Sequence, residues 1–179
     1  MPVFIGLLRA VNVGGRSLKM QDLREVCTAC QLQNVQTYLQ SGNVLFKTTE
    51  RKPKTVASKL EAALERKLGF RPDVILRTTE ELRSVIGKNP FAERRDVQPN
   101  KLHVLFLADE LGDDTRKALL ALKPDGEELR CGDRELYIYF PEGMGRSKFM
   151  PRVSRLLKNS ATARNWNTVT KLLELADQL

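Results

Sequence analysis

The sequence predicts an α+β protein in which one arrangement of strands and helices occurs twice in tandem. Two observations lead to this prediction. Short apolar segments typical of strands alternate with segments whose apolar residues recur every three or four positions, as in helices. The order of these segments in residues 1–90 is found again in residues 91–179. With 179 residues, 41% hydrophobic and 29% charged, the chain is long enough to bury a core and too apolar to be disordered.

The elements of the first half follow from local patterns. Residues 3–11 (VFIGLLRAV) are apolar at both alternating sets of positions, which predicts a strand buried on both faces. Gly42 supplies a hairpin turn, and Gly69 ends a long helix. In chain order the remaining elements are a helix from Ser17 or Lys19 to about Gln31, strands 35–40 and 43–47 around Ser41-Gly42, a helix from about Pro53 to Lys67, a strand at 73–78 and a helix from Thr78 to about Ile86.

The second half repeats this order after a polar connection at about 89–100 (NPFAERRDVQPN). The weakest element is ATAR (161–164), because alanine is a poor strand former. The predicted elements are a strand at 101–108, a helix at 113–122, a hairpin of 127–131 and 135–140 around Gly132-Asp133, a helix at 151–159, a strand at 161–164 and a helix at 167–178.

Each half therefore reads β-α-β-β-α-β followed by one extra helix. This order is the split βαβ arrangement of a ferredoxin-like unit. We predict an internal duplication of two tandem ferredoxin-like units, residues 1–90 and 91–179, packed as one compact pair. Because residues 3–11 are apolar on both faces, we expect the sheet face without helices to be covered by the other unit.

Two properties argue against membrane and secreted proteins. The longest apolar stretch, 3–11, is interrupted by Arg9 and falls well short of the roughly 20 residues of a membrane-spanning helix. Three cysteines cannot all pair with one another, which argues against a disulfide scaffold and predicts a cytoplasmic protein. We expect no cofactor and no bound metal, and a monomer is slightly favoured over an oligomer.

Residue types that often carry catalysis have simpler explanations here. Cys27 and Cys30 lie late in a helix on its apolar side, away from the N-terminus where a redox pair gains reactivity, so we interpret them as core residues. His103, the single histidine, has apolar neighbours and no nucleophile motif, which predicts a hydrogen-bonded sheet residue. Tyr137 and Tyr139 share a sheet face that could stack on bases, but the motif of RNA-binding sheets is absent.

Several blocks of the chain resemble a bacterial family, the one called domain of unknown function 1697. The similar blocks are LLRAVNVGG, YLQSGNVLF, NPF, LHVLFL, YIYFPEGMGRSK and RNWNTVTKL. The resemblance runs from the first strand to the last helix and implies a cytoplasmic protein of two tandem ferredoxin-like halves. It implies no assigned biochemical role and no catalytic residues. Phe149-Met150-Pro151 departs from the polar helix start expected after GRSK.

The segment GMGRSK (143–148) is the first candidate phosphate site. Gly143 and Gly145 permit close backbone approach before a predicted helix N-terminus, which favours negative charge. Arg146 and Lys148, on either side of Ser147, can donate charge-assisted hydrogen bonds. The spacing of a Walker A motif is absent. The alternative is a plain connection whose glycines serve the turn and whose cations face water.

The cluster Arg164-Asn165-Trp166-Asn167 is the second candidate site. Trp166 can stack on a base while Arg164 contacts a phosphate. The structural alternative, which we favour, is that Trp166 fixes the last helix to the core. Asn167 is expected to cap that helix.

The segment Asn12-Val13-Gly14-Gly15-Arg16 is the third candidate site, at the first strand-to-helix connection. The paired glycines Gly14 and Gly15 can form an anion-binding concavity of backbone N–H groups, with Asn12 and Arg16 beside it. The segment does not follow the dinucleotide fingerprint GxGxxG. Plain turn geometry is the favoured interpretation.

The net charge of +8 is unevenly distributed. Residues 1–90 carry 15 cations and 8 acids, whereas residues 91–179 carry 15 and 14. Yet residues 143–173 contain seven cations and no acid. A second basic run, Lys47 to Lys59, follows the first hairpin as GMGRSK follows the second. Clustered cations attract phosphates in a salt-dependent way, although a solvated basic surface can serve solubility alone.

Three functions remain open. The first is a non-enzymatic module for a phosphate-rich ligand, with nucleic acid as the leading candidate. The second is an enzyme acting on a nucleotide or other phosphorylated small molecule in a cleft between the units, against which stands the lack of an identifiable general base. The third is a structural or protein-interaction role. We expect a ligand site if Asn12, Arg146, Arg164 and Trp166 converge, and a structural role if they do not.

Overall fold

The structure is a computed structural model that describes residues 1–158 and 160–179, and it confirms the α+β class. Within these residues the chain forms two four-stranded antiparallel sheets and six α-helices. The strands are β1 (Val3–Leu8), β2 (Gln33–Tyr38), β3 (Asn43–Lys47), β4 (Val74–Thr78), β5 (Leu102–Leu107), β6 (Glu128–Cys131), β7 (Glu135–Tyr139) and β8 (Ala161–Asn165). The helices are α1 (Met20–Ala29), α2 (Pro53–Leu68), α3 (Thr79–Gly87), α4 (Asp113–Leu120), α5 (Phe149–Leu156) and α6 (Trp166–Asp177), with a 3₁₀ turn at Met144–Arg146.

The two sheets have the same strand order, β2-β3-β1-β4 and β6-β7-β5-β8. β1 pairs antiparallel with β3 and β4, and β5 pairs antiparallel with β7 and β8. Arg77 faces Ile5 across the first sheet, and Arg164 faces Val104 across the second. The two arginines thus occupy equivalent places, one in each sheet. This repetition is compatible with a duplicated two-unit chain.

The chain divides into two compact units. The first comprises Met1–Ser84 together with Lys171–Leu179, and the second comprises Val85–Thr170. Because the last helix begins at Trp166, its later residues are grouped with the first unit and its first turn with the second.

Both faces of the first sheet are buried. On one face, Phe4 and Leu8 join a core that includes Leu23 of α1 and Leu60 of α2. The alternate residues of β1, such as Ile5, point to the other face and are also fully buried. This confirms the prediction that β1 is buried on both sides.

The second sheet is built in the same way. Leu105 and Ile138 pack with Phe149 and Val153 of α5. On the opposite face Tyr137 is buried, and its hydroxyl donates a hydrogen bond to the Val85 carbonyl at 2.7 Å. A ring held in this way has no free face for a base.

Some element boundaries differ from the sequence-based expectation. β1 ends at Leu8 rather than at residue 11, because the chain turns at Ala10 and Asn12, which have φ of 57° and 55°. β2 begins and ends two residues earlier than predicted, and Leu39 beyond it has φ of 60°. The predicted helix end at Asn159 lies outside the described residues.

None of the helices within the described residues is both long and apolar enough to cross a bilayer. The same part of the chain contains no group of three or more His, Cys, Asp and Glu side chains placed to hold a metal ion.

Candidate functional site

Ser147 holds the start of α5. Its Oγ accepts hydrogen bonds from the backbone N–H groups of Phe149 and Met150, both at 3.1 Å. The same hydroxyl donates a hydrogen bond to Glu127 Oε1 at 2.5 Å. Two N–H groups that could bind a phosphate therefore already donate to Ser147, and the Ser147 hydroxyl is itself bonded to the Glu127 carboxylate. The capping serine also explains how an apolar segment beginning at Phe149 can start a helix.

A cavity of about 150 Å³ lies beside this segment. Gly143 and Ser147 line it. Carboxylates outnumber cations there, so the cavity does not favour an anion. Its charged lining residues are Asp125, Glu127, Glu142, Arg146 and Lys148.

Glu127 is the buried carboxylate of this cavity. Burial by itself would raise its pKa, but hydrogen bonds from the Ser147 hydroxyl and from backbone N–H groups, including that of Asp125, together with the positive charge of Arg152, outweigh burial. The pKa of Glu127 is lowered below its ordinary value of 4.5, so this side chain is negatively charged at neutral pH.

The cations that follow Gly145 form an exposed surface along α5. Lys148, Arg152 and Arg155 are four and three residues apart, which places them on one side of the helix. Arg146 precedes them and Lys158 follows them, and all five are exposed. We call these five residues the α5 basic face.

Few of these cations are engaged within the protein. In the described part of the chain, the side chains of Arg146, Lys148, Arg155 and Lys158 make no hydrogen bond or ion pair. Arg152 donates a hydrogen bond to the Lys123 carbonyl at 2.9 Å.

Several cations elsewhere on the chain have acidic partners. Arg94 bonds to Glu128 at 2.9 Å, Arg83 pairs with Asp177 at 2.6 Å, and Lys67 lies within 3.2 Å of an acidic oxygen. The α5 basic face forms no ion pair among the described residues, a property it shares with other exposed cations such as Arg51, Lys52 and Arg95. Its distinguishing feature is that its five cations follow one another over residues 146–158 with no acid between them.

Arg164 lies inside the protein. It is only 6% exposed, and its Nη1 donates to Thr162 Oγ1 and to the Ala163 carbonyl, both at 2.8 Å. Burial lowers its pKa to about 10, so it still carries a charge at neutral pH. The guanidinium is thus held by its own strand.

The cap of the last helix is Asn165, not Asn167. Asn165 Oδ1 accepts a hydrogen bond from the Thr168 N–H at 2.9 Å, and α6 begins at Trp166. The expectation for Asn167 is wrong because β8 runs directly into the helix, so the capping position comes two residues earlier. Asn167 is exposed, and Trp166 is half-buried.

Asn12 organises the first strand-to-helix connection. Its Nδ2 donates to the carbonyls of Leu18 at 2.9 Å and Gln40 at 2.6 Å, and its Oδ1 accepts from the Leu18 N–H at 2.8 Å. Gly14 and Gly15, with φ of 57° and 80°, form a tight turn closed by the bond from the Arg16 N–H to the Val13 carbonyl at 3.1 Å. Positive φ at both central residues identifies a type I′ turn.

The hairpin turn between β2 and β3 packs against this connection. The Leu8 N–H donates to the Gly42 carbonyl at 2.8 Å. Gly42 has φ of 83°, and a Cβ there would lie 2.6 Å from Val11 Cγ2, so only glycine fits. We call residues 9–18 and 39–42 the paired loops.

The candidate residues are divided between the two units. Asn12, Gly14, Gly15 and Arg16 belong to the first unit, and the candidates from Gly143 onward belong to the second. Within the second sheet, β7 and β8 both run antiparallel to β5. The segments that follow them therefore start at the same end of the sheet. The 150 Å³ cavity at this end of the sheet is lined by residues of 125–148, including Arg146, but not by Arg164, whose side chain is buried. The convergence expected of a single ligand site is therefore not met for these two residues, and the exposed cations of the α5 basic face are what remains for phosphate contact.

The remaining chemistry-bearing residues are mostly structural. Burial first, and Cys30 second, raise the pKa of Cys27 to about 12, as expected for an unreactive core thiol. His103 packs edge-on against Phe140 with ring centres 5.4 Å apart. Its buried Nδ1 has no hydrogen-bond partner among the described residues, so the expectation of a fully bonded histidine is wrong at this atom. Burial lowers its pKa, which favours the neutral ring.

Sequence reasoning missed Glu127 and Gln40. Glu127 meets Ser147 across 20 residues, and Gln40 meets Asn12 across 28. No local periodicity or motif marks such contacts. The one usable signal is the predicted sheet register, which puts the start of β6 near the end of β7 and the hairpin turn near the end of β1.

Comparison with known proteins supports the fold and supplies no activity. No curated protein matches the chain. A solved structure described as that of conserved bacterial protein SP0830 from Streptococcus pneumoniae is similar over 99% of both chains, with a TM-score of 0.80 and 24% sequence identity. The model of the family described as Protein of unknown function (DUF1697) matches residues 1–137. On that match, which includes the paired loops and ends before GMGRSK, the chain belongs to the DUF1697 family.

Proposed function

We propose that this chain binds nucleic acid through the α5 basic face and catalyses no reaction on it. The observation that supports the proposal is that five exposed cations follow one another over residues 146–158, along α5 and its flanks, and form no ion pair within the described residues. Uncompensated cations raise the local potential and gain free energy when they replace the counterions of a phosphate backbone.

The contact is assigned to the helix surface and not to the cavity beside GMGRSK. The N–H groups that start α5 are capped by Ser147, and Glu127 adds a negative charge behind them. In contrast, Lys148 and Arg155 are separated by seven residues, or about 10 Å along a helix, a span that covers roughly three phosphates of one strand.

The proposed contact reads phosphates rather than bases. Trp166 is half-buried, and Tyr137 and Tyr139 are buried with their hydroxyls directed at backbone carbonyls. The two tyrosine rings therefore offer no stacking platform of the kind used for single-stranded nucleic acids. We infer sequence-independent binding, with a duplex as the preferred partner because its charge density is higher.

The finer description of the fold belongs to the same proposal. We infer that each unit is ferredoxin-like, supported by the strand orders β2-β3-β1-β4 and β6-β7-β5-β8. The division into repeats at 1–90 and 91–179 and a cytoplasmic location are likewise inferences, the latter from three cysteines that are all free thiols.

The proposal is tested with a fluorescein-labelled 20-base-pair DNA duplex of mixed sequence and fluorescence anisotropy at low salt. The test variant is Arg146→Ala/Lys148→Ala/Arg155→Ala, whose side chains make no bond in the described residues, so the fold is expected to survive. We expect at least a tenfold loss of affinity, because three phosphate contacts are removed.

The matched control is Lys67→Ala/Arg71→Ala/Arg83→Ala. It removes the same charge, but from cations that have acidic partners. We expect it to lose less than threefold. Equal losses in the two variants would show that only net charge matters, and unchanged binding in the test variant would remove the α5 basic face as the site.

A further inference from the structure

Beyond the proposed nucleic-acid contact, we infer that the paired loops of the first unit are a docking surface for an acidic protein segment that carries apolar side chains. The paired loops are residues 9–18, between β1 and α1, and residues 39–42, between β2 and β3. Three independent properties point to this role: the loops are rigidly held, they adopt unfavourable backbone conformations, and they expose apolar side chains within a basic segment.

The rigidity comes from a network centred on Asn12. The Asn12 side chain joins the two loops through the Gln40 carbonyl at 2.6 Å and fixes the end of its own loop through Leu18. The loop base is fixed by Arg9, whose Nε donates to Asp73 Oδ2 at 2.7 Å. A surface held in this way loses little conformational entropy when a partner binds.

The backbone conformations are not required by the fold. Ala10, Asn12 and Leu39 all lie in the left-handed region, with φ of 57°, 55° and 60°. In the second sheet the Leu107 N–H donates a hydrogen bond to the Arg134 carbonyl, which is equivalent to the bond from the Leu8 N–H to the Gly42 carbonyl in the first sheet. The connection from β5 to α4 has only five residues, 108–112.

None of those five residues has a positive φ. The connection from the first strand of the sheet to the next helix thus needs no positive φ in the second unit, whereas it has several in the first. Strain of this kind persists where the surrounding structure holds it, and it is frequent at functional sites.

The surface that results is apolar at its tips. Val13 and Leu39 are 58% and 51% exposed, and each lies next to a residue of the Asn12–Gln40 hydrogen bond. Only two other large hydrophobic residues in the described chain are so exposed, Met1 and Leu120. Exposed apolar side chains on a rigid loop are typical of protein-interaction sites.

The charge around these tips selects the partner. Residues 9–21 contain no acid, and their cations Arg16 and Lys19 form no ion pair in the described part of the chain, whereas Arg9 is bound to Asp73. Arg16 is held over the Phe70 ring, with its guanidinium carbon 5.6 Å from the ring centre. A partner that covers Val13 and Leu39 therefore meets positive charge, so complementarity favours Asp and Glu around its apolar residues.

The test uses the full ¹⁵N-labelled chain and three pools of mixed-sequence 12-residue peptides. The first pool combines Asp and Glu with Leu, Ile and Phe, the second replaces the acids by Lys, and the third replaces the apolar residues by Ser. We expect the first pool alone to shift the amide signals of residues 12–16 and 39–42. The variant Val13→Ser/Leu39→Ser should weaken this binding at least tenfold, whereas Leu120→Ser should leave it unchanged.

The contrary outcomes are distinct. Absence of binding, equal binding of the Ser pool, or shifts confined to the α5 basic face would overturn the proposal. A loss of binding in Leu120→Ser as large as in the double variant would do the same. Loop signals that shift with protein concentration alone would identify a second copy as the occupant and overturn the acidic-peptide assignment. None of these readouts depends on DNA binding.

Discussion

At the scale of single residues, Ser147 connects helix capping to a buried carboxylate. Its hydroxyl accepts hydrogen bonds from two backbone N–H groups of α5 and donates one to Glu127. A single hydroxyl therefore caps the start of the helix and favours the charged form of the carboxylate. GRSK alone suggests a phosphate-binding segment. The structure shows that its serine has an internal partner, which no pattern within residues 143–148 reveals.

Replacing Ser147 by Ala should cost about 1 kcal/mol of the free energy of unfolding at pH 7, with a further loss from Glu127. Because the pKa of Glu127 is lowered in the folded state, its contribution is complete above its ordinary value of 4.5 and disappears as the pH falls through the lower folded pKa. The difference between the parent and Ser147→Ala should therefore shrink below pH 4.5.

Urea denaturation between pH 3 and pH 7 measures this difference. Ser154→Ala is the control, since this serine of the same helix has no side-chain hydrogen bond in the described chain. A Ser147→Ala difference that stays constant over the whole pH range would contradict the role given to Glu127.

Asn12 is the second residue whose role is clear only in three dimensions. Glycine at position 12 can adopt the φ of 55° that Asn12 has, but Asn12→Gly removes three side-chain hydrogen bonds. This loss should lower the free energy of unfolding by about 2–3 kcal/mol. Asn12→Ala should cost roughly 1 kcal/mol more, because alanine is disfavoured in the left-handed region. If Asn12→Gly is as stable as the parent in urea denaturation, the network does not hold the loop.

At the scale of elements, the sequence predicts which strands and helices exist, and their order, better than it predicts where each of them begins and ends. All eight strands and six helices are predicted in their correct order, including β8, although its alanines favour no strand. β8 forms because it pairs with β5 along its length, so tertiary pairing overrides propensity. The end of β1 is not predictable in this way, because the turn at Ala10 depends on contacts with the distant hairpin and with Asp73.

Substitutions at Gly42 and Gly14 distinguish the cost of steric crowding from the cost of an unfavourable backbone conformation, because both glycines have positive φ but only Gly42 is crowded. Gly42→Ala places a methyl group 2.6 Å from Val11 Cγ2 at φ of 83° and should cost more than about 2 kcal/mol. Gly14→Ala has φ of 57° and open space around its Cβ, so it should cost only about 1 kcal/mol. Thermal unfolding followed by circular dichroism compares them, and equal losses would argue against close packing of the paired loops.

At the scale of the whole molecule, the charge of +8 has a location that its total does not show. The count by position indicates an acid-free segment, and the structure adds which of its cations are exposed and which are not. Arg164 belongs to the segment but is buried, whereas Arg155 is exposed. Sequence alone cannot separate the two, since strand alternation predicts only that Arg164 lies on one face of β8, not that this face is covered.

The measurement that tests the central claim most directly is the salt dependence of duplex binding. The logarithm of the association constant should fall linearly with the logarithm of salt concentration, with a slope of roughly −0.9 for each phosphate neutralised. For Arg146→Ala/Lys148→Ala/Arg155→Ala the slope should be shallower than in the parent by about 2–3, and for Lys67→Ala/Arg71→Ala/Arg83→Ala it should match the parent. An unchanged slope in the first variant would contradict nucleic-acid binding by the α5 basic face.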